Sequence, residues 1–429
     1  MSIDVIEQKK LKEALYFKEL DNGLKVYFIP REDYTKQYAV FATNYGSNDN
    51  KFVPLGEEEP ITVPEGIAHF LEHKLFEEKE GNIFTKFSDL GSYVNAYTNF
   101  NQTAYLFSCS DKFYENLKLL VKFVQNPYFT DENVNKEKGI IEQEIKMYDD
   151  NPNWKVFFNC LKAMYVNHPI KTDIAGTVDS IKKIDKETLY KCYNTFYHPS
   201  NMVLFMVGNI DFNKALDVVK ENIQRDIKEF HGDVEKITEK EPTTINKNII
   251  EEKLSVSTPL FNIGFKDIDL GYTGDELLKK QLTTNILLDM LFGDSTKFYQ
   301  SIYDEGLISG DFGTQYIGHE SYGHSIIAGE SDEPKKVLKR VKDHILDQRE
   351  YGLNKEAFNR NKRKLIGYYL MDLNSVEFIA NNFIKYHFNN TSILSYLDIL
   401  ENINYNDVKE RFENLFDLDR LSISIIYPI

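Results

Sequence analysis

The apolar and polar positions of this chain predict strands followed by helices, and they do so twice. Tyr38–Thr43 (YAVFAT) is an apolar, strand-like run, followed by a helical run from Glu65 and a second helix toward Leu90. Tyr93–Thr98 and Gln102–Cys109 read as the two strands of a hairpin. Asp131–Asp150 reads as a further helix, and Gly208 in VGNID as a strand-to-helix turn with Asp211 placed as a cap. In the second half, strand-like Leu260–Phe265 precedes helical runs over Asp275–Phe292 and Thr296–Glu305. The segment HKLFEEKEGNIFTKFSDLG (His73–Gly91) overlays on DMLFGDSTKFYQSIYDEG (Asp289–Gly306) through the shared Leu-Phe pair, with one gap. The expectation is an α+β fold of two homologous sandwich halves, each a sheet covered by helices. The overlay sets Asn285, Leu288 and Asp289 opposite His69, Glu72 and His73, so the second half is expected to lack the first half's chemistry. An amphipathic run, Asn213–Glu229, leads into polar, charged Gly232–Lys247 (GDVEKITEKEPTTINK), read as a linker. It divides the chain into domains 1–232 and 233–429.

Size and composition narrow the function classes. A chain of 429 residues has ample interior for two or three domains. Its 42% hydrophobic and 28% charged residues argue against disorder. A net charge of −16 argues against a nucleic-acid reader, which needs a basic face. Cys109, Cys160 and Cys192 share no short metal spacing and form no disulfide framework, which fits a reducing compartment. The first twenty residues carry charges every few positions, and no run of about 18 apolar residues occurs, so no membrane span is expected. These features fit a soluble cytoplasmic protein. No phosphate loop of the GxGxxG or GxxxxGK kind is present.

The residues with chemistry lie in PEGIAHFLEHKLFEE, Pro64–Glu78. His69, Glu72 and His73 are spaced i, i+3, i+4, which on a helix puts all three on one face. Two imidazoles so placed can share one metal ion, with the carboxylate beside it; H-x-x-E-H is the inverted zinc-peptidase order. A catalytic zinc takes three protein ligands and leaves a position for water, so a third ligand is required. The helix Asp131–Asp150 offers Glu137, Glu142 and Glu144. Glu144 has Ile140, Ile141, Met147 and Tyr148 three and four positions away, and Glu137 shares that face, whereas Glu142 faces mostly outward. Two inward carboxylates on one stripe are better explained by a cation than by a solvated face. Glu144 is therefore assigned as third ligand and Glu137 as the carboxylate that holds a ligand histidine.

With HFLEH at His69–His73, the E-x6-E of Glu137–Glu144, GSYVNAYT at Gly91–Thr98 and YHPSNMVLFMVGNID at Tyr197–Asp211, the chain resembles the M16 family of zinc peptidases. Pitrilysin, insulysin and the mitochondrial processing peptidase are other members, and the likeness is greatest to the short bacterial branch. The resemblance implies that His69, His73 and Glu144 bind Zn2+, that Glu72 is the general base and that Glu137 supports a ligand. It also implies that Asn95 and Ala96 lie on an edge strand that pairs with the backbone of a peptide substrate. Active members carry an Arg and, a turn or two later, a Tyr in the second half. Here Tyr303 stands at the Arg position and Ser309 or Gly310 at the Tyr position. The expected partner is therefore a second chain, in a homodimer or in a heterodimer with a related chain that supplies the Arg-Tyr pair. A non-catalytic peptide-binding or scaffold subunit is the alternative. His319 and His324 in HESYGH turn away from each other on a helix or a strand alike and are not expected to form a second metal site.

Overall fold

The apolar run near the start of each half becomes an interior strand of a sheet: Gln37–Thr43 in the first half and Leu260–Lys266 in the second. In the computed structural model, which describes residues 3–79, 81–224 and 234–429, twelve strands form two main sheets among the described residues. The first holds β1 (Asp4–Gln8), β2 (Glu13–Glu19), β3 (Lys25–Pro30), β4 (Gln37–Thr43), β5 (Tyr93–Thr98), β6 (Thr103–Cys109) and β7 (Met202–Gly208). Their order is β1-β2-β3-β7-β4-β6-β5, with β5 at an edge. The second holds β8 (Ile249–Leu254), β9 (Leu260–Lys266), β10 (Phe312–Gly318), β11 (Gly323–Glu330) and β12 (Leu421–Pro428), in the order β8-β12-β9-β11-β10.

The duplication is visible in strand direction as well as order. β3 and β7 are parallel, and the remaining pairs out to β5 are antiparallel; β8 and β12 are parallel, and the remaining pairs out to β10 are antiparallel. The hairpin expected at Tyr93–Cys109 is β5–β6, in register from Tyr93 opposite Ser108 to Thr98 opposite Thr103. The helices expected after each leading strand are α1 (Ile67–Leu75) and α2 (Ile83–Asp89), then α3 (Asp131–Asp149). Pro152–Met164 is α4, and the second half contributes α5 (Gly274–Phe292), α6 (Lys297–Asp304) and α7 (Val376–Phe388). Asp211 caps the helix Phe212–Asn222, as expected, by accepting from the Lys214 N–H. Residues 225–229 of the amphipathic run, Gly232 and Asp233 of the linker, and with them the 232/233 boundary, lie outside the described residues.

The chain separates into two compact units that are not contiguous in sequence. One comprises Met1–Ile145, Asp173–Thr238 and Asp372–Phe388; the other comprises Lys146–Thr172, Glu239–Met371 and Asn389–Ile429. Helix α4 thus belongs with the second sheet, where it packs on β12 and β9, and α7 belongs with the first, where it packs on β7 and β4. Each has a local reason. Gly264 of β9 lets α4 come so close that a Cβ there would sit 2.6 Å from Met164 Sδ and 2.8 Å from Cys160 Sγ. In the first unit, Phe383 of α7 stacks on Phe205 of β7 with ring centroids 4.2 Å apart. Chain order alone says nothing about which sheet a helix covers, and the apolar faces decide it.

The second unit buries two histidines as neutral rings. Burial pushes His324 down to about 3 and His168 down to about 4. His324 Nδ1 lies 2.9 Å from the Tyr165 hydroxyl, and His168 accepts from the Ile170 N–H through Nδ1 at 3.1 Å. In the unfolded chain both return to about 6.5. Between about pH 6.5 and 4 the unfolded chain therefore binds more protons than the folded one, and stability falls as pH falls through that window. Lowering the pH from 7 to 5 is expected to cost the second unit about 2 kcal/mol per histidine, read as a lower denaturation midpoint. A midpoint that holds or rises at pH 5 would contradict this assignment of the two rings.

Candidate metal centre

Helix α1 is buried on nearly every side, and its polar residues are buried with it. Ile67, Phe70, Leu71 and Leu75 supply the apolar contacts, worth roughly 1.5–3 kcal/mol each. His69, Glu72 and Lys74 are buried too, and His73 is half-buried. Groups of this kind are tolerated inside a protein only with specific partners. The helix is held in place from its first turn. Gly66 caps it at φ 86°, and a Cβ there would lie 2.3 Å from the carbonyl oxygen of Ala175, so only glycine permits this approach. The Ser180 hydroxyl donates to the carbonyl of Glu65 at 2.8 Å.

From this position the two imidazoles face α3. His69 Nε2 lies 3.6 Å from Glu144 Oε1, and His73 Nε2 lies 3.5 Å from Glu144 Oε2. The two rings are 4.5 Å apart by centroid. One ligand atom from each of His69, His73 and Glu144 lies within 4.8 Å of the others, and no other such group of three occurs among the described residues. Zinc bonds of about 2.0–2.2 Å in a tetrahedral arrangement imply donor separations of about 3.4 Å. The observed nitrogen–oxygen distances fit that requirement, and two imidazoles with one carboxylate are a donor set that catalytic zinc takes.

Around these donors the other predicted residues take distinct places. His73 Nδ1 is 3.1 Å from Glu137 Oε1, the carboxylate–histidine contact that fixes a ligand ring. His69 Nδ1 is buried without a partner among the described residues, so of the two rings only His73 is secured through its far nitrogen. The field of the site favours positive charge. Burial pulls His73 down, but the Glu137 hydrogen bond and the charges of Glu72, Glu144 and Glu137 outweigh it and hold the ring above its ordinary value. Glu72 accepts a hydrogen bond from the Thr98 hydroxyl at 2.9 Å through Oε2. Thr98 ends edge strand β5, three positions after Asn95 and two after Ala96. The Asn95 carboxamide accepts from the Ala96 N–H at 2.9 Å and donates to the Tyr93 hydroxyl at 3.0 Å.

Two of these residues carry no sequence signal for their place. Thr98 closes the GSYVNAYT motif, but nothing in that motif gives its bond to Glu72, which depends on how β5 lies against α1. Lys74 reads as a surface lysine and is instead buried. The inward face expected around Glu144 is too wide: Ile140 and Met147 are 48% and 59% exposed. The buried stripe of α3 is Val134, Glu137, Ile141 and Ile145, with Glu144 half-buried beside it. Successive helix residues are about 100° apart, so Ile140 and Ile141 cannot share one narrow face. His324 is inside β11 against Tyr165, and His319 Nδ1 lies 3.4 Å from the Ser321 hydroxyl. Tyr316 and Tyr322 are both buried, and Tyr316 donates to Asp267 at 2.7 Å.

Known proteins resemble this chain along almost its full length. Residues 58–178 match the family model described as Insulinase (Peptidase family M16), and residues 183–365 match the one described as Peptidase M16 inactive domain. The uncharacterized zinc protease YmfH of Bacillus subtilis (strain 168) is 42% identical over 426 residues, covering 99% of both chains. The crystal structure of an M16-like peptidase from Alicyclobacillus acidocaldarius superposes with a TM-score of 0.91 at 35% identity, covering 100% of this chain and 99% of that one. A protease from Helicobacter pylori shares the fold, with a TM-score of 0.82 at 17% identity over 96% of this chain and 99% of that one. Identity at this level along almost its full length makes the chain a member of peptidase family M16.

Proposed function

We propose that the chain is a zinc metalloendopeptidase that hydrolyses peptides or small unfolded polypeptides. The observation that carries this reading is the convergence of His69, His73 and Glu144 with Glu72 buried alongside. His69, His73 and Glu144 would hold zinc, which would supply a Lewis acid able to polarise a peptide carbonyl and to bring the pKa of a water near 7. Glu72 takes the proton of the attacking water and passes it to the leaving amine. The Thr98 hydroxyl on Oε2 fixes that carboxylate and leaves Oε1 for the proton. Asn95 and Ala96, on the edge of the sheet, align an extended peptide through main-chain hydrogen bonds, which need little sequence preference.

The second unit offers no Arg-Tyr pair of its own at the expected place. Tyr303 is on the surface of α6, and Tyr316 is engaged with Asp267. This supports action as the metal-bearing subunit of a dimer with a related chain that supplies the pair. Three buried cysteines, all with free thiols, support a cytoplasmic setting. Among the described residues no helix is long and apolar enough to cross a membrane. The missing pair also favours a second reading, a peptide-binding subunit without turnover in an M16-type complex. Cleavage of an unstructured peptide by the zinc-loaded chain, alone and with a candidate partner, separates them. The proposal expects slow cleavage alone, a large gain with the partner and loss of both on chelation. Peptide binding without cleavage in every combination would favour the second reading, and chelator-resistant cleavage would refute the metal role.

A further inference from the structure

Lys74 is completely buried, with 0% of its surface exposed, and it follows His73 directly. An ammonium group in the interior is costly unless it is paired. Its partners are the Glu77 carboxylate, the main-chain carbonyl of Asn133 at 3.4 Å and Glu137 Oε2 at 3.8 Å. The other oxygen of the same carboxylate, Glu137 Oε1, is the one that meets His73 Nδ1 at 3.1 Å. Glu137 therefore sits between a buried cation and a ligand imidazole, with one oxygen given to each.

We propose that Lys74 is a positioning residue for the metal centre, acting on His73 through Glu137. The last torsion of a glutamate is broad, so the carboxylate does not choose its own orientation. The ammonium, held by Glu77 and by the Asn133 carbonyl at the start of α3, draws Oε2 to itself and so turns Oε1 toward the imidazole. His73 is thereby fixed with Nε2 directed at Glu144. The chain contains its own comparison. The Leu-Phe overlay sets Met290 of α5 opposite Lys74, and Met290 is buried in the unit that has no such metal group among the described residues. The fold thus accepts an apolar side chain at this point of the helix, and the lysine stands where ligands must be held.

The inference rests on the reading of His69, His73 and Glu144 as zinc ligands, and its test keeps the two apart. Zinc affinity of the full chain is measured by chelator competition for the parent, Lys74→Met, Glu137→Gln and the double variant, with apo-protein melting as a control. Lys74→Met is expected to bind zinc about 10–100-fold more weakly, the usual cost of losing a partner behind a ligand. The double variant is expected to bind no more weakly than Glu137→Gln, because Lys74 acts only through that carboxylate. Parent-like affinity in Lys74→Met, or a loss that adds in full to that of Glu137→Gln, overturns the proposal while leaving the ligands intact. A parent chain that binds no zinc overturns both. Should Lys74→Met fail to fold, Glu77→Gln loosens the same ammonium from a half-exposed site; a several-fold loss of zinc affinity then supports the proposal, and an unchanged affinity overturns it.

Discussion

Glu72→Gln is expected to keep its zinc and to lose about 10²–10⁴-fold in turnover, the range that a positioned proton-transfer group contributes. The substitution is nearly isosteric. Its carboxamide oxygen can still accept from Thr98 Oγ1, so the contact that seats the side chain survives. What disappears is the capacity to take a proton from water. Glu72 is not among the three residues whose donor atoms converge, so metal content should be unchanged. Cleavage rates with metal analysis on the same sample provide the check. Full activity in Glu72→Gln would remove the base assignment, and loss of zinc would recast Glu72 as a ligand.

His69→Ala is expected to lose metal and turnover together. It deletes one of three protein donors, and the two that remain fall short of the three that a catalytic zinc takes. The loss of affinity should exceed the 10–100-fold that follows from removing a supporting partner. The fold itself should survive, since α1 keeps the buried Ile67, Phe70, Leu71 and Leu75 and the Gly66 approach to Ala175. A His69→Ala protein that holds stoichiometric zinc as tightly as the parent would show that the ion is bound elsewhere. The contrast between the two variants is informative: one separates metal from turnover, and the other does not.

Much of the centre is legible in the sequence because helix spacing is rigid. His69 and His73 are one turn apart, so any helix through them brings both rings to one side, and α1 does so. Glu144 is singled out by its position on α3, although the stripe that buries its neighbours is narrower than the spacing implies. The contacts that escape are those set by packing between elements distant in sequence. Thr98 reaches Glu72 because the end of β5 lies against α1, and buried Lys74 meets the Asn133 carbonyl at the start of α3. The exchange of α4 and α7 between units escapes for the same reason. Amphipathic periodicity marks an apolar face and leaves its partner sheet unnamed.

The central claim is that His69, His73 and Glu144 close on a single zinc ion. Anomalous diffraction at the zinc edge from crystals of the zinc-loaded chain tests it most directly. One strong peak is expected about 2.0–2.2 Å from His69 Nε2, His73 Nε2 and a Glu144 oxygen, with Glu72 beside it and unbonded. A peak ligated by other residues, or no peak between α1 and α3 with Glu144 turned away from both rings, would contradict it.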